Sequence, residues 1–196
     1  MQGATQDAGI TVSGLACRRG DRVLFSGVSF TLQPGAALQV SGVNGIGKSS
    51  LLRLVAGLAR PFAGTVNCHG AIGLVDERSA LDPALTLERA LAFWSRLDGG
   101  GVAPVAALGL ARLLDVPVRY LSTGQRKRAA MARLIGQRTA IWLLDEPLNG
   151  LDIEAARVVE RLAAEHCAHG GIAVIASHQP FALAHMDHLA LADYAA

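Results

Sequence analysis

Three short stretches carry the side chains that could do chemistry. The first is Gly42-Val43-Asn44-Gly45-Ile46-Gly47-Lys48-Ser49, continued by Ser50. Its glycines let backbone N–H groups turn inward and approach an anion closely, and a helix opening at Lys-Ser places its positive end behind them. Lys48 can reach the β- and γ-phosphates as a point charge, and the Ser49 hydroxyl can hold Mg2+. The second stretch is Asp145-Glu146, after the apolar run Ile141-Trp142-Leu143-Leu144. In the company of a phosphate loop, Asp145 is expected to hold Mg2+ through water, and Glu146 to orient or deprotonate an attacking water. An acidic pair after a strand is otherwise often a helix cap, but the upstream glycine loop favours the catalytic reading. The third, Leu121-Ser122-Thr123-Gly124-Gln125, would on its own be no more than an N-cap and a turn.

These residues need elements to hold them. Residues 37–41 alternate as a strand does, and 51–57 carry apolar residues at helical spacing up to Gly57, so the glycine loop sits between strand and helix. Upstream, 10–17 and 22–32 read as strands joined by a turn at 18–21, and short strands are expected at 65–68 and 71–75. Composition then shifts. Helix is expected over 86–97, capped by Thr86, and again over 103–114 after Gly99-Gly100-Gly101. Ser122 caps a long basic helix to about Gln137. Strand follows over 139–144, then an amphipathic helix over 153–167 with Ala155, Val158, Leu162 and His166 in line, then strand over 172–176. Residues 180–193 resist assignment. Strands alternating with helices predict an α/β fold: a P-loop NTPase core with a mostly parallel sheet. The chain, 1–196, is expected to form one such domain, with a small helical lobe inserted at about 77–137.

Composition narrows the partners. A net charge of +2 is too small to argue for nucleic acid or an anionic membrane surface. Cys17, Cys68 and Cys167 lack metal-ligand spacing and read as reduced, buried thiols. The first nine residues show no basic, apolar-cored leader. The longest apolar stretch, 101–118, is broken by Pro104, Arg112, Asp115 and Pro117, which argues against a membrane span.

Leu121–Gln125 resembles the signature of the ABC ATPases, usually Leu-Ser-Gly-Gly-Gln, and here it lies between a Walker A loop and a Walker B pair. Asn149-Gly150-Leu151-Asp152 resembles the family's D-loop, and His178 matches its switch histidine. The resemblance covers essentially the whole chain. It implies an ATPase with an N-terminal antiparallel β subdomain, binding ATP and Mg2+ in a dimer of two copies packed head to tail. Leu121, Ser122, Thr123, Gly124 and Gln125 of one copy would face the γ-phosphate held by Gly42–Ser50 of the other. Asp152 would sit in the D-loop, while Glu146 and His178 would support hydrolysis. Thr123 departs from the usual glycine. Arg19 stands where the family carries an adenine-stacking aromatic, and a guanidinium plane can also stack on a base. No glutamine lies between Ser49 and Gln125, so the usual Q-loop residue is missing. Its place falls within Asp76-Glu77-Arg78, with Arg78 favoured.

Residues 22–30, 50–58 and 83–88 further resemble ATP-binding subunits of the bacterial haem exporter of cytochrome c maturation. That resemblance implies an integral membrane permease partner, cytochrome c maturation proteins as further partners, and a peripheral place on the cytoplasmic face of the inner membrane. An ABC exporter ATPase for a drug or lipid, or a soluble ABC ATPase, remains the alternative at this stage.

Overall fold

The computed structural model describes residues 8–99 and 101–195. The expectation about a leader falls largely on residues 1–7, and part of the triple glycine on Gly100; both lie outside the described residues. Short uncharged runs of aliphatic residues form the centre. Strands β3 (Ala37–Ser41), β5 (Ile72–Val75), β6 (Ile141–Asp145), β7 (Ile172–Ala176) and β8 (Met186–Ala190) make a sheet ordered β5-β6-β7-β3-β8, with every pairing parallel. The central strands β3, β6 and β7 are buried on both faces, as strands of a parallel sheet are, whereas β8 at the edge is mostly exposed.

A second sheet packs on it. Strands β1 (Gly9–Arg19), β2 (Arg22–Leu32) and β4 (Ala63–His69) pair antiparallel in the order β2-β1-β4. Side-chain alternation divides the interior in two. Ile141 and Leu143 of β6 face β1, β2 and helix α1 (Lys48–Val55), against Ile10, Leu15, Phe25, Leu51 and Leu52. Trp142 and Leu144 face the other way, onto helices α2 (Leu87–Leu97), α3 (Thr123–Gln137) and α4 (Ile153–Ala168).

Thr86 caps α2, its hydroxyl accepting from the Arg89 amide. Arg133 of α3 stacks over the Trp94 ring at 3.7 Å, fastening α2 to α3. Helix was expected over 103–114, but the segment instead makes turns and one single-turn 3-10 helix, Ala111–Leu113, with a second, Val118–Tyr120, just beyond it. Pro104 and Pro117 lack the N–H a helix needs. The backbone is also engaged elsewhere: Leu87 and Glu88 amides donate to the Val116 and Leu114 carbonyls, and Arg128 donates to Leu108 O at 2.8 Å. Residues 180–193, unassigned from sequence, supply β8, an edge strand alongside β3. On α4 the fully buried line is Val159, Ala163 and Cys167, one step around from the expected Ala155, Val158, Leu162 and His166. Among the described residues no helix is long and apolar enough to cross a membrane.

Candidate nucleotide site

The strand order determines what can meet. Strands β6, β7 and β3 are neighbours and parallel, so the segments leaving their C-terminal ends gather on one rim, the usual ligand position in an open α/β sheet. Those segments are the Asp145-Glu146 turn, Ser177-His178 and the glycine loop.

The loop is built as an anion cradle. Gly42, Gly45 and Gly47 have φ of 149°, 82° and 119°, which side chains disfavour. At Gly47 a Cβ would also press on the Phe25 ring. The first turn of α1 has neither a side-chain cap nor an acidic residue, leaving its N–H groups and positive end for a ligand. Arg19, Leu24, Asn44, Gly45, Gly47, Lys48, Ser49 and Ser50 line a cavity of about 350 Å3, closed on its far side by Glu77, Glu146 and Asn149. Val43 and Ile46 form the outer bend, where Ile46 N donates to Val43 O.

Lys48 is folded inward, its side chain only 6% exposed; Nζ donates to Gly42 O at 2.7 Å and lies 3.3 Å from Glu146 Oε1. Glu146 reaches it from a strained backbone: its φ of 46° is unusual for a residue with a side chain. That turn is held by Glu146 N donating to Ala176 O. The other carboxylate oxygen, Oε2, accepts from His178 Nδ1 at 2.9 Å. Lys48, Glu146 and His178 thus form one chain of charge-assisted contacts across three strand ends.

Asp145 is buried beside them, and burial raises its pKa. The Ser49 hydroxyl and Lys127 pull the other way, while Glu146 and Glu77 add to the rise. Asp145 Oδ1 is buried without a hydrogen-bond partner in the chain, and Glu146 Oε1, also buried, has only the Lys48 ammonium beside it. Oxygens so placed, with a serine hydroxyl alongside, suit a hard divalent cation such as Mg2+. Lys127 of α3 extends beneath them, donating to the Asp145 carbonyl at 3.2 Å. Burial lowers its pKa, opposed by Asp145, Glu77, Asp76 and Glu146.

Of the lining residues, Leu24 gave no chemical signal in the sequence, and Asn149 was read only as part of the D-loop. Glu77 was in view, but Arg78 was favoured for the Q-loop place. The structure puts Glu77 on the wall of the glycine-loop cavity and Arg78 in a separate recess with Ala80 and Arg133. The chain leaves β5 at Val75 and turns at once; the Asp76 carboxylate accepts from the Arg78 amide and pairs with Arg53 at 3.1 Å.

Leu121–Gln125 does not enter this cavity. Ser122 and Gln125 form a capping box at the start of α3, and Leu121 is buried. Gly124 lies so close to the Gly150 carbonyl that a Cβ there would overlap it, and the Thr123 methyl rests near Gly150. Asp152 caps α4, accepting from Ala155 N at 2.8 Å.

A phosphate loop on a parallel sheet, an acidic pair on the neighbouring rim, and a second helix N-terminus exposed elsewhere define the class: a nucleotide-binding domain of the ABC type. The comparisons agree. The ABC transporter family matches residues 25–149. The cytochrome c biogenesis ATP-binding export protein CcmA of Novosphingobium aromaticivorans is 55% identical over 96% of this chain and 98% of its own length. Its namesake in Zymomonas mobilis is 45% identical over 97% of this chain and 87% of its own. Among solved structures, a metal-chelate type ABC transporter in an inward-facing conformation superposes with a TM-score of 0.78 at 25% identity, over 94% of this chain and 80% of its own. This chain belongs to the ABC transporter ATP-binding family and, within it, to the CcmA proteins. As a member it is an ATP-binding, ATP-hydrolysing transporter subunit.

Proposed function

We propose that the chain drives an export complex serving cytochrome c maturation, with haem or its carrier protein as cargo, from the cytoplasmic face of the bacterial inner membrane. The near-full-length identity to CcmA relatives supports that assignment, and the observation that carries the chemistry is Glu146 poised between Lys48 and His178. In this reading Gly42–Ser50 and the start of α1 bind the triphosphate of ATP, and Lys48 exchanges its Gly42 and Glu146 contacts for phosphate oxygens. Ser49 and Asp145 would hold Mg2+, Asp145 through water; the ion would neutralise charge developing on the phosphates. Glu146, freed from Lys48, orients and deprotonates the attacking water, while His178 holds the carboxylate in place. Arg19 stacks on the base.

Two copies complete the site. Ser122 and Thr123 are exposed in one chain, and the start of α3 forms a second anion site for the partner's γ-phosphate. Residues 77–137 act as the helical lobe of a single domain, and exposed Phe93, Leu97 and Val102 offer apolar surface to an integral permease. Tagged chain is purified from gently solubilised native membranes and its companions are identified by mass spectrometry. A small permease together with cytochrome c maturation proteins supports the reading. A different permease keeps the ATPase and removes the haem assignment.

A further inference from the structure

An uncharged amide sits where the interior should be apolar. Gln39 lies mid-strand in β3, between Leu38 and Val40, in register with Ile175 of β7 and His188 of β8, and is only 5% exposed. Leu38 and Val40 face α1 and β1, so alternation turns Gln39 to the opposite face, the one packed with Trp142, Ile175 and Phe181. A buried amide there is costly unless it is hydrogen-bonded.

Its partner is distant in sequence and close to the site. Gln39 Nε2 donates to the backbone carbonyl of Gln179 at 2.7 Å. The turn leaving β7 is thereby held on both sides of His178 by a single strand. Before it, Ser177 N donates to Val40 O; after it, Gln179 O accepts from Gln39. Gln179 N also donates to Ser177 Oγ at 3.0 Å, tightening the turn. The imidazole is then fixed in one tautomer: Nδ1–H donates to Glu146 Oε2, and Nε2 faces the Gln179 amide nitrogen at 3.4 Å. Strand β3 runs directly into the glycine loop, so the strand that leads to Lys48 also sets where His178 stands.

We propose that Gln39 is a positioning residue for ATP hydrolysis, holding the His178 turn so that the imidazole meets Glu146. The proposal rests on the reading that His178 supports the Glu146 carboxylate. Gln39 touches no phosphate-binding residue through its side chain, so its loss acts on turnover and leaves nucleotide affinity alone.

The test is a double-mutant cycle on the full chain, measuring steady-state ATPase activity and binding of a fluorescent ATP analogue. Gln39→Met keeps the volume and removes the donor. Gln39→Asn keeps the amide but shortens its reach, and serves if the Met variant does not fold. Either should lower kcat about threefold to tenfold, the loss expected for one hydrogen bond, with nucleotide affinity unchanged. In a His178→Ala background the same substitution should change kcat no further, because the group it positions is gone. An equal loss in both backgrounds would mean that Gln39 acts on general stability and overturns the proposal, as would wild-type kcat in both Gln39 variants. Wild-type turnover in His178→Ala alone would remove the underlying reading, and the proposal with it.

Discussion

His166 should make the stability of this protein depend on pH in a way that one substitution abolishes. Its ring lies flat on Trp142, with centroids 3.9 Å apart and planes 7° from parallel. Burial dominates its surroundings and lowers its pKa from 6.5 to about 4, with His169 adding to the fall. The backbone at Ile172 and Ala140 pulls the other way, yet Nε2 makes no hydrogen bond of good geometry. The unfolded chain therefore takes up a proton near pH 6.5 that the folded chain refuses until about pH 4. Stability from the neutral ring is complete above the unfolded value and is lost as pH falls toward the folded one. The whole interval corresponds to about 3 kcal/mol, of which about 2 kcal/mol is gone by roughly pH 5. Urea unfolding followed by far-UV circular dichroism, between about pH 8 and pH 5, measures it in the wild type and in His166→Phe, which keeps an aromatic ring on Trp142. Subtracting the two profiles cancels groups common to both, including Asp145, whose raised pKa acts in the opposite sense. The wild type should lose about 2 kcal/mol more than the variant over that range. Parallel profiles, agreeing within about 0.5 kcal/mol, would refute the argument that burial keeps His166 neutral.

Other outcomes concern the nucleotide site. Lys48→Ala should abolish binding of a fluorescent ATP analogue at micromolar concentration, since the cradle loses the buried cation of its phosphate loop. Glu146→Gln should keep binding and lose at least about a hundredfold in hydrolysis, and ATP should shift it toward a dimer on size exclusion; hydrolysis at the wild-type rate would exclude Glu146 as the base. Arg19→Ala should weaken ATP binding severalfold in the same titration, and unchanged affinity would remove base stacking from its role. Glu77→Ala should depress ATPase activity more than Arg78→Ala does; the reverse order would return the missing Q-loop place to Arg78.

The chemistry of the site was legible because most of it is local. Three glycines, a lysine and a serine act through their own backbone and the helix they open, so the spacing from Gly42 to Ser49 suffices. Asp145 and Glu146 were legible because an apolar strand announces its own end. What was hidden depends on partners far along the chain. Gln39 looks like one polar residue in a strand until the carbonyl of Gln179 is brought to it. Glu77 and Arg78 are adjacent, and only the turn after β5 decides which of them faces Lys48 and Glu146. Residues 103–114 carry enough alanine and leucine to suggest helix. Carbonyls of Leu114 and Leu108 are instead engaged by α2 and α3, and two prolines mark the bounds of the detour. The buried line of α4 was misplaced by one step because alanine and cysteine, small enough to sit against the sheet, took the positions nearest it, leaving Val158 and Leu162 half-buried at the margin.

The backbone of Glu146 carries a further implication. A residue with a side chain is held at a φ of 46°, where glycine or asparagine would rest more easily. A library of this protein ranked only by resistance to heat would therefore favour such replacements at position 146. If Glu146 activates the attacking water as proposed, each winner would be hardier and unable to turn over ATP. At this position endurance and work are opposed, and selection for one alone would erase the other.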